Sequence, residues 1–450
     1  MPKLLQLPVR QTLFKMAFPM LAGTLAMNTY NLVDTWYVSR LGTLSLASMG
    51  LTFPVVMFFT FIAAGIGTGI TTLTSHALGR SNRTLASRII TDGFLFVILL
   101  SLGLAIAGAL TITPLFTPIG ADEYTLPLVR SYMLTWYLGA IFMAFPMMGN
   151  GILIALGDSK SAGLFMMTGA LLNVILDPFL IFGWCGLPTL GIQGAALATV
   201  LAQAFSSLWL FYLLARKYHL LKIEWPDLGL FVQTLQMILR FAIPGSLSMI
   251  LMPISVAVLT ALISRHGHVA VAAVSAASRL EMFAFVVPMS LGMSLIPFVS
   301  QNFGANRLDR VHEARIYSTY FALIYGLMIA VLFFISAPWI GRFFSHDPEV
   351  LRIFTLYVRT VAFGYGMMEV HRYCGFMLTG THQPVLATVL NAIRVLVLLL
   401  PLSFLGSHYF GIPGIFTGRL ITDLCAGLIG MLFLTLFLTP KVQAQYTSSD

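Results

Sequence analysis

Four hundred and fifty residues that are 58% hydrophobic and only 9% charged are not the composition of a water-soluble chain, whose charged share is typically about 25%. Each crossing of a roughly 30 Å hydrocarbon core takes about 20 apolar residues, so this length holds about a dozen helical spans and leaves no sizeable soluble domain. The formal charge of +9 would point to nucleic acid in a soluble protein; in a membrane chain it reports orientation and assigns no nucleic-acid partner.

Apolar runs and Gly/Pro punctuation predict spans over 12–38, 48–73, 92–117, 127–155, 162–184 and 191–215, then over 236–263, 271–300, 317–342, 352–379, 385–405 and 411–438. An outer-membrane barrel is excluded because its strands alternate in polarity, whereas Phe94 to Leu110 is apolar on every side. The opening stretch has basic residues but no small-residue cleavage site after a short apolar core, so no removable signal peptide is read. The longest polar break is Arg216 to Asp227. It divides the chain into an N-terminal lobe (1–215), a cytoplasmic linker (216–235) and a C-terminal lobe (236–450). The fold class is therefore all-α and polytopic, with twelve transmembrane helices in two pseudo-symmetric six-helix bundles.

The symmetry is written in the residues. A shift of 225 lays Ala17-Phe18-Pro19 on Ala242-Ile243-Pro244, and Ser39-Arg40-Leu41-Gly42 on Ser264-Arg265-His266-Gly267. In the same register Gly67, Ser75 and Gly79 fall on Gly292, Ser300 and Gly304, and Tyr132 and Gly139 on Tyr357 and Gly364. Gly191-Ile192-Gln193-Gly194 matches Gly411-Ile412-Pro413-Gly414 at a slightly shorter spacing. Six spans per repeat is an even number, so both halves enter from the same side, and a cleft between two such bundles is the expected substrate path.

Basic residues fix the orientation. Lys3, Arg10, Lys15, Arg80, Arg83, Arg88, Lys160, Arg216, Lys217, Lys222, Arg307, Arg310, Arg315 and Lys441 fall on one side, against Arg40, Arg130, Arg265, Arg342 and Arg352 on the other. By the positive-inside rule both termini and the central break are cytoplasmic, which places a multi-pass protein in the cell (inner or plasma) membrane.

Acids inside lipid-spanning helices cost several kcal/mol and are functional candidates by default. Asp34 lies late in the first span and Asp177 late in the fifth, each about 15 residues, or roughly 22 Å at 1.5 Å per residue, past Pro19 and Gly163 respectively. Equal depth is the expectation. Tyr30 and Asn173 each precede an acid by four residues and share its helix face, so one wet pocket accounts for all four. The repeat puts Leu259 opposite Asp34 and Leu400 opposite Asp177, so the fold itself does not require these carboxylates. The second half offers secondary candidates: Arg279 with Glu281, Glu369 with Arg372, and Arg394, Arg419 and Asp423, whose close opposite charges predict ion pairs.

Gly65-Ile66-Gly67-Thr68-Gly69 has the look of a phosphate loop, but it lies in an apolar span with no strand before it and is read as a helix-packing motif. Cys185, Cys374 and Cys425 show neither metal spacing nor a disulfide framework. No nucleophile, metal or cofactor motif is present, so neither an enzyme nor a cofactor is expected.

The pattern resembles the multidrug and toxic compound extrusion (MATE) family, in particular its DinF-like branch, over nearly the whole chain. The resemblance rests on Pro19 followed by Tyr30-Asn31-Leu32-Val33-Asp34, on Asn173-Val174-Ile175-Leu176-Asp177-Pro178, on Gly194-Ala195-Ala196-Leu197-Ala198-Thr199, and on Gln301-Asn302-Phe303-Gly304-Ala305. It implies that Asp34, Asn173, Asp177 and Thr199 form the cation-coupling pocket of the N-terminal lobe with Tyr30 beside it, and that Pro19 is the bend point of the first helix. The acidic coupling positions of the second lobe in the NorM-like branch have no clear counterpart here.

The implied function is multidrug efflux by alternating access, with cationic or amphipathic drugs exported by a monomer in exchange for protons. Two carboxylates in a low-dielectric pocket resist full ionisation and hold a proton near neutral pH. An amide, a hydroxyl and two carboxylates also form an oxygen cage for Na+, so Asp34, Asp177, Asn173 and Thr199 stand as a Na+ site as well. Two alternatives stay open: a flippase for lipid-linked precursors, which calls for a strongly cationic cleft, and a non-transporting membrane scaffold.

Overall fold

The computed structural model describes residues 3–221 and 227–447, which are almost entirely helical, with no strand among them. In chain order the helices are α1 (Val9–Ser39), α2 (Thr43–Gly79), α3 (Arg83–Leu110), the short α4 (Ile112–Phe116), α5 (Thr125–Leu138), α6 (Ala140–Ala155), α7 (Ser159–Phe182) and α8 (Ile192–Tyr212). They continue as α9 (Leu228–Ser264), α10 (His268–Ala284), α11 (Val286–Gly304), α12 (Leu308–Phe344), α13 (Pro348–Val361), α14 (Tyr365–Gly380), α15 (Pro384–Ala392) and α16 (Leu400–Thr447).

Among the described residues, 7 helices are long and apolar enough to cross a membrane, or 9 when the bent pairs α5–α6 (55°) and α10–α11 (52°) each count as one span. The run Pro384–Leu438 satisfies the test as one piece of 55 residues, yet the backbone leaves helical geometry inside it at Gly411 (φ 62, ψ −140). That break makes two spans of it. Helix α1 and the α13–α14 pair then complete six rods in each half, as the apolar pattern predicted. Helix α1 falls short on apolarity because Thr24, Asn28, Tyr30, Asn31 and Asp34 interrupt it, which marks a span that does not face lipid all round.

The backbone repeats along with the sequence. Positive φ recurs at Gly42 and Gly267 (104 and 97), at Ser81 and Asn306 (58 and 57), and at Gly157 and His382 (73 and 66), each pair 225 residues apart. Gly191 and Gly411 (56 and 62) repeat at 220. These are the turns where one rod hands over to the next. Identical turn geometry at a fixed offset is what a duplicated bundle requires.

By their own contacts the residues fall into two compact units, one holding Lys15–Ser246 and the other Leu4–Phe14 with Leu247–Asp450. The boundary thus lies inside α9 and not in the linker expected over 216–235, part of which, with Lys222, is outside the described residues. The reason is packing. A Cβ at Gly65 would clash with Ala242 and Ser246, and one at Gly69 would press on Ile238 and Phe241, so these α2 glycines let the first half of α9 lie against α2. The Gly65–Gly69 motif is therefore a close-packing surface.

The second unit claims the chain's start through hydrogen bonds. Arg310 donates from Nη2 to the carbonyls of Leu4 (3.2 Å) and Leu7 (2.7 Å) and from Nε to Asn302 Oδ1 (2.7 Å), while the Leu4 N–H donates to Gln301 Oε1 (3.2 Å). In the first unit, Asp158 caps α7 through the Ser161 N–H (3.1 Å) and accepts from Lys217 (2.7 Å) and the Tyr218 hydroxyl. Burial alone would raise its pKa, but the bonds from Lys217, Tyr218 and Ser161 hold this carboxyl well below the usual carboxylate range. The loop before α7 is thereby pinned to the end of α8.

Candidate ion-coupling site in the first unit

Helices α1, α5, α7 and α8 bring the candidate residues together. Asp34 on α1 is buried, and Asn173 and Asp177 on α7 are buried more deeply still. Thr199 on α8 and Tyr30 on α1 are half-buried. The depth expectation rested on Pro19 and Gly163 as landmarks, and these residues are in direct contact: a Cβ added at Gly163 would run into the Pro19 carbonyl, its carbon 2.8 Å away. With the two helices registered there, Asp34 and Asp177 sit at the same level.

Asn173 organises the acid next to it. The orientation of its amide that satisfies every neighbour directs its oxygen toward the Thr199 hydroxyl (3.1 Å) and backbone N–H (3.3 Å), while Nδ2 donates to Asp177 Oδ2 (3.3 Å). The opposite orientation would aim the amide oxygen at a carboxylate. Asp34 Oδ1 and Asp177 Oδ1 are both shielded from solvent and have no hydrogen-bond partner. A buried carboxylate oxygen without a donor is costly, and each is relieved when a proton or a cation occupies the pocket. Val38, Ile181 and Ala195 close over one end in an apolar cluster with Tyr37, Leu41, Met49 and Phe182.

The structure adds a residue that the reading of the chain used only as a repeat landmark. Tyr132 on α5 is buried and lies within electrostatic reach of Asp34, Asp177 and Tyr30. Its repeat mate Tyr357 also sits among charges, a parallel that shows only once the helices are packed.

The charges of the second unit meet in a different way from the one expected. Glu281 on α10 pairs with Arg419 on α16 (2.9 Å), not with Arg279. Residues two apart on a helix point to different faces, which is why Arg279 cannot serve it. The Tyr357 hydroxyl donates to Glu281 Oε2 (3.1 Å) and accepts from Arg419. Arg394 holds Asp423 (2.7 Å), and Glu369 and Arg372 pair as expected (3.1 Å). Arg279 is exposed on α10.

Gly163 offers a direct test of the landmark contact. Gly163→Ala places a methyl group against backbone atoms that cannot rotate aside, so it is expected to destabilise the protein by about 1–3 kcal/mol as over-packing does. The check is the melting temperature in detergent; an unchanged value would mean that α1 and α7 are further apart.

A polytopic bundle that shelters ionisable groups at matched depth inside its membrane helices has the build of a membrane transporter. The chain belongs to the MatE family, whose model matches residues 19–179 and 244–405. The two matched stretches begin 225 residues apart, the offset of the internal repeat. The chain is 34% identical over 425 residues to the FAD transporter of Shewanella oneidensis, covering 94% of each protein. It is 25% identical over 440 residues to the multidrug export protein MepA of Staphylococcus aureus, covering 95% of this chain and 94% of that one. Among solved structures, the crystal structure of the Vibrio cholerae MATE transporter VcmN in the bent form superimposes with a TM-score of 0.91 at 28% identity, covering 96% of this chain and 98% of that one. As a member of this family the protein is a multi-pass membrane transporter and not an enzyme.

Proposed function

We propose that the protein exports amphipathic organic compounds from the cytoplasm in exchange for protons bound at Asp34 and Asp177. The observation that carries this reading is the pair of partnerless buried carboxylate oxygens, one on each acid, in a pocket where Asn173 and Thr199 are hydrogen-bonded to one another. Protons are favoured over sodium by the orientation of Asn173. Its amide oxygen is taken up by Thr199 and its N–H faces Asp177, so the amide oxygen, one of the four oxygens a Na+ cage would need, is turned to another partner. A proton does not need it. Protonation of Asp34 removes a charge from α1 about four turns beyond Pro19, where the helix lacks a backbone hydrogen bond. Bending at Pro19 is the movement by which that change reaches the cargo path.

Drugs are the cargo named for the staphylococcal relative, and amphipathic xenobiotics are the first reading here. A second reading is favoured by a specific observation: the relative of higher identity is called an FAD transporter. Proteoliposomes with independently imposed gradients test the coupling. Accumulation is expected to follow an inward or outward proton gradient and to ignore sodium at fixed pH; a sodium requirement would overturn the proton assignment.

A further inference from the structure

Arg279 is the charge that the coupling pocket does not use and that no acid neutralises. It lies about 16 Å along α10 from His268, inside the bent α10–α11 span. The acids nearest to it in depth on the second unit's helices are engaged elsewhere, Glu281 by Arg419, Glu369 by Arg372 and Asp423 by Arg394. Among the described residues Arg279 enters no ion pair and no hydrogen bond, and it is exposed. An arginine at such depth costs several kcal/mol unless it faces water, an anion or the polar headgroups.

The neighbours of Arg279 on the helix describe the anion. Ser275 is one turn before it, Met282 and Phe283 one turn after, and all three are exposed on the same side of α10. A planar guanidinium with five donors matches phosphate oxygens in pairs. An aromatic ring and an adaptable thioether beside it suit a flat heteroaromatic ring. Phosphate joined to a flat ring is the chemistry of a nucleotide or dinucleotide.

We propose that Arg279 is the phosphate-recognition residue for cargo in the second unit, and that the cargo class is an anionic aromatic dinucleotide of the flavin type. The proposal rests on the transporter reading and deepens its second version. The first unit then supplies the exchangeable charge, and α10 supplies the group that selects what is carried.

The test uses the full-length protein in proteoliposomes under a proton gradient, with FAD and the cationic dye ethidium as separate probes. Arg279→Gln is expected to lower FAD transport by about 10- to 100-fold, the range for losing a hydrogen bond to a charged group, and to leave ethidium transport within about twofold. Arg279→Lys, which keeps the charge but not the fork, is expected to fall between. Unchanged FAD transport in Arg279→Gln would overturn the proposal and assign the guanidinium to lipid headgroups. Parallel loss of both probes would overturn it in favour of a structural role, and so would a wild-type protein that moves ethidium but not FAD. If the wild type moves neither probe under any gradient, it is the transporter coupling itself that fails.

Discussion

Proteoliposomes carrying Asp34→Asn are expected to show no concentrative export under a proton gradient that drives the wild-type protein. Asparagine keeps the size and much of the hydrogen bonding of the aspartate but can neither gain nor lose a proton, so the fold persists while the coupling step disappears. The scale of the loss follows from the driving force. One elementary charge crossing 100 mV supplies about 2.3 kcal/mol, or roughly a 50-fold concentration ratio, and the variant forfeits it entirely. Asp177→Asn is expected to be milder: both acids have an Oδ1 without a partner, but Asp177 Oδ2 also receives a hydrogen bond from Asn173. Full gradient-driven export by Asp34→Asn, with equal amounts of protein reconstituted, would refute the assignment of the coupling site.

Arg419→Ala is expected to produce the largest loss of stability. Its guanidinium is the counter-charge of Glu281, donates to the Tyr357 hydroxyl, and stands 3.9 Å from Asp423. Removing one partner of a buried pair leaves an uncompensated charge and costs about 3–5 kcal/mol, whereas replacing both by uncharged groups of similar size is often close to neutral. The double variant Glu281→Gln with Arg419→Met is therefore expected to recover most of what Arg419→Ala loses. Thermal melting in detergent of the single and double variants distinguishes the cases; a single variant that melts like the wild type would show that the pair contributes little.

Much of this was legible in the chain because it is periodic. Apolar runs long enough to cross a bilayer gave the rods, and the 225-residue offset gave the duplication, since both are patterns along the sequence. The common depth of Asp34 and Asp177 was legible for the same reason: it needs only the rise per residue and a pair of landmarks, and Pro19 and Gly163 proved to touch. What stayed hidden depends on contacts across helices. Arg279 and Glu281 are neighbours in sequence but lie on different faces, and the partner of Glu281 comes from α16, far along the chain. The unit boundary at Ser246–Leu247 falls within an uninterrupted helix, and Pro244-Gly245 just before it is a weaker mark than the long polar break at Arg216 to Asp227. Tyr132 was hidden in a third way, since a tyrosine in an apolar run looks like packing until two acids are found beside it.

The two halves have kept one backbone and divided its chemistry. At the offset of 220 that lays Gly194 on Gly414, Thr199 falls on Arg419, while Tyr132 falls on Tyr357 at 225. Where the earlier half keeps a neutral hydroxyl and leaves room for a visiting proton, the later half carries a guanidinium that never releases its own. On the proposed coupling, one half offers a site for a transient positive charge and the other carries a permanent one. On that coupling a swing in external acidity acts on the first half through Asp34 and Asp177, while Arg419 in the second keeps its charge.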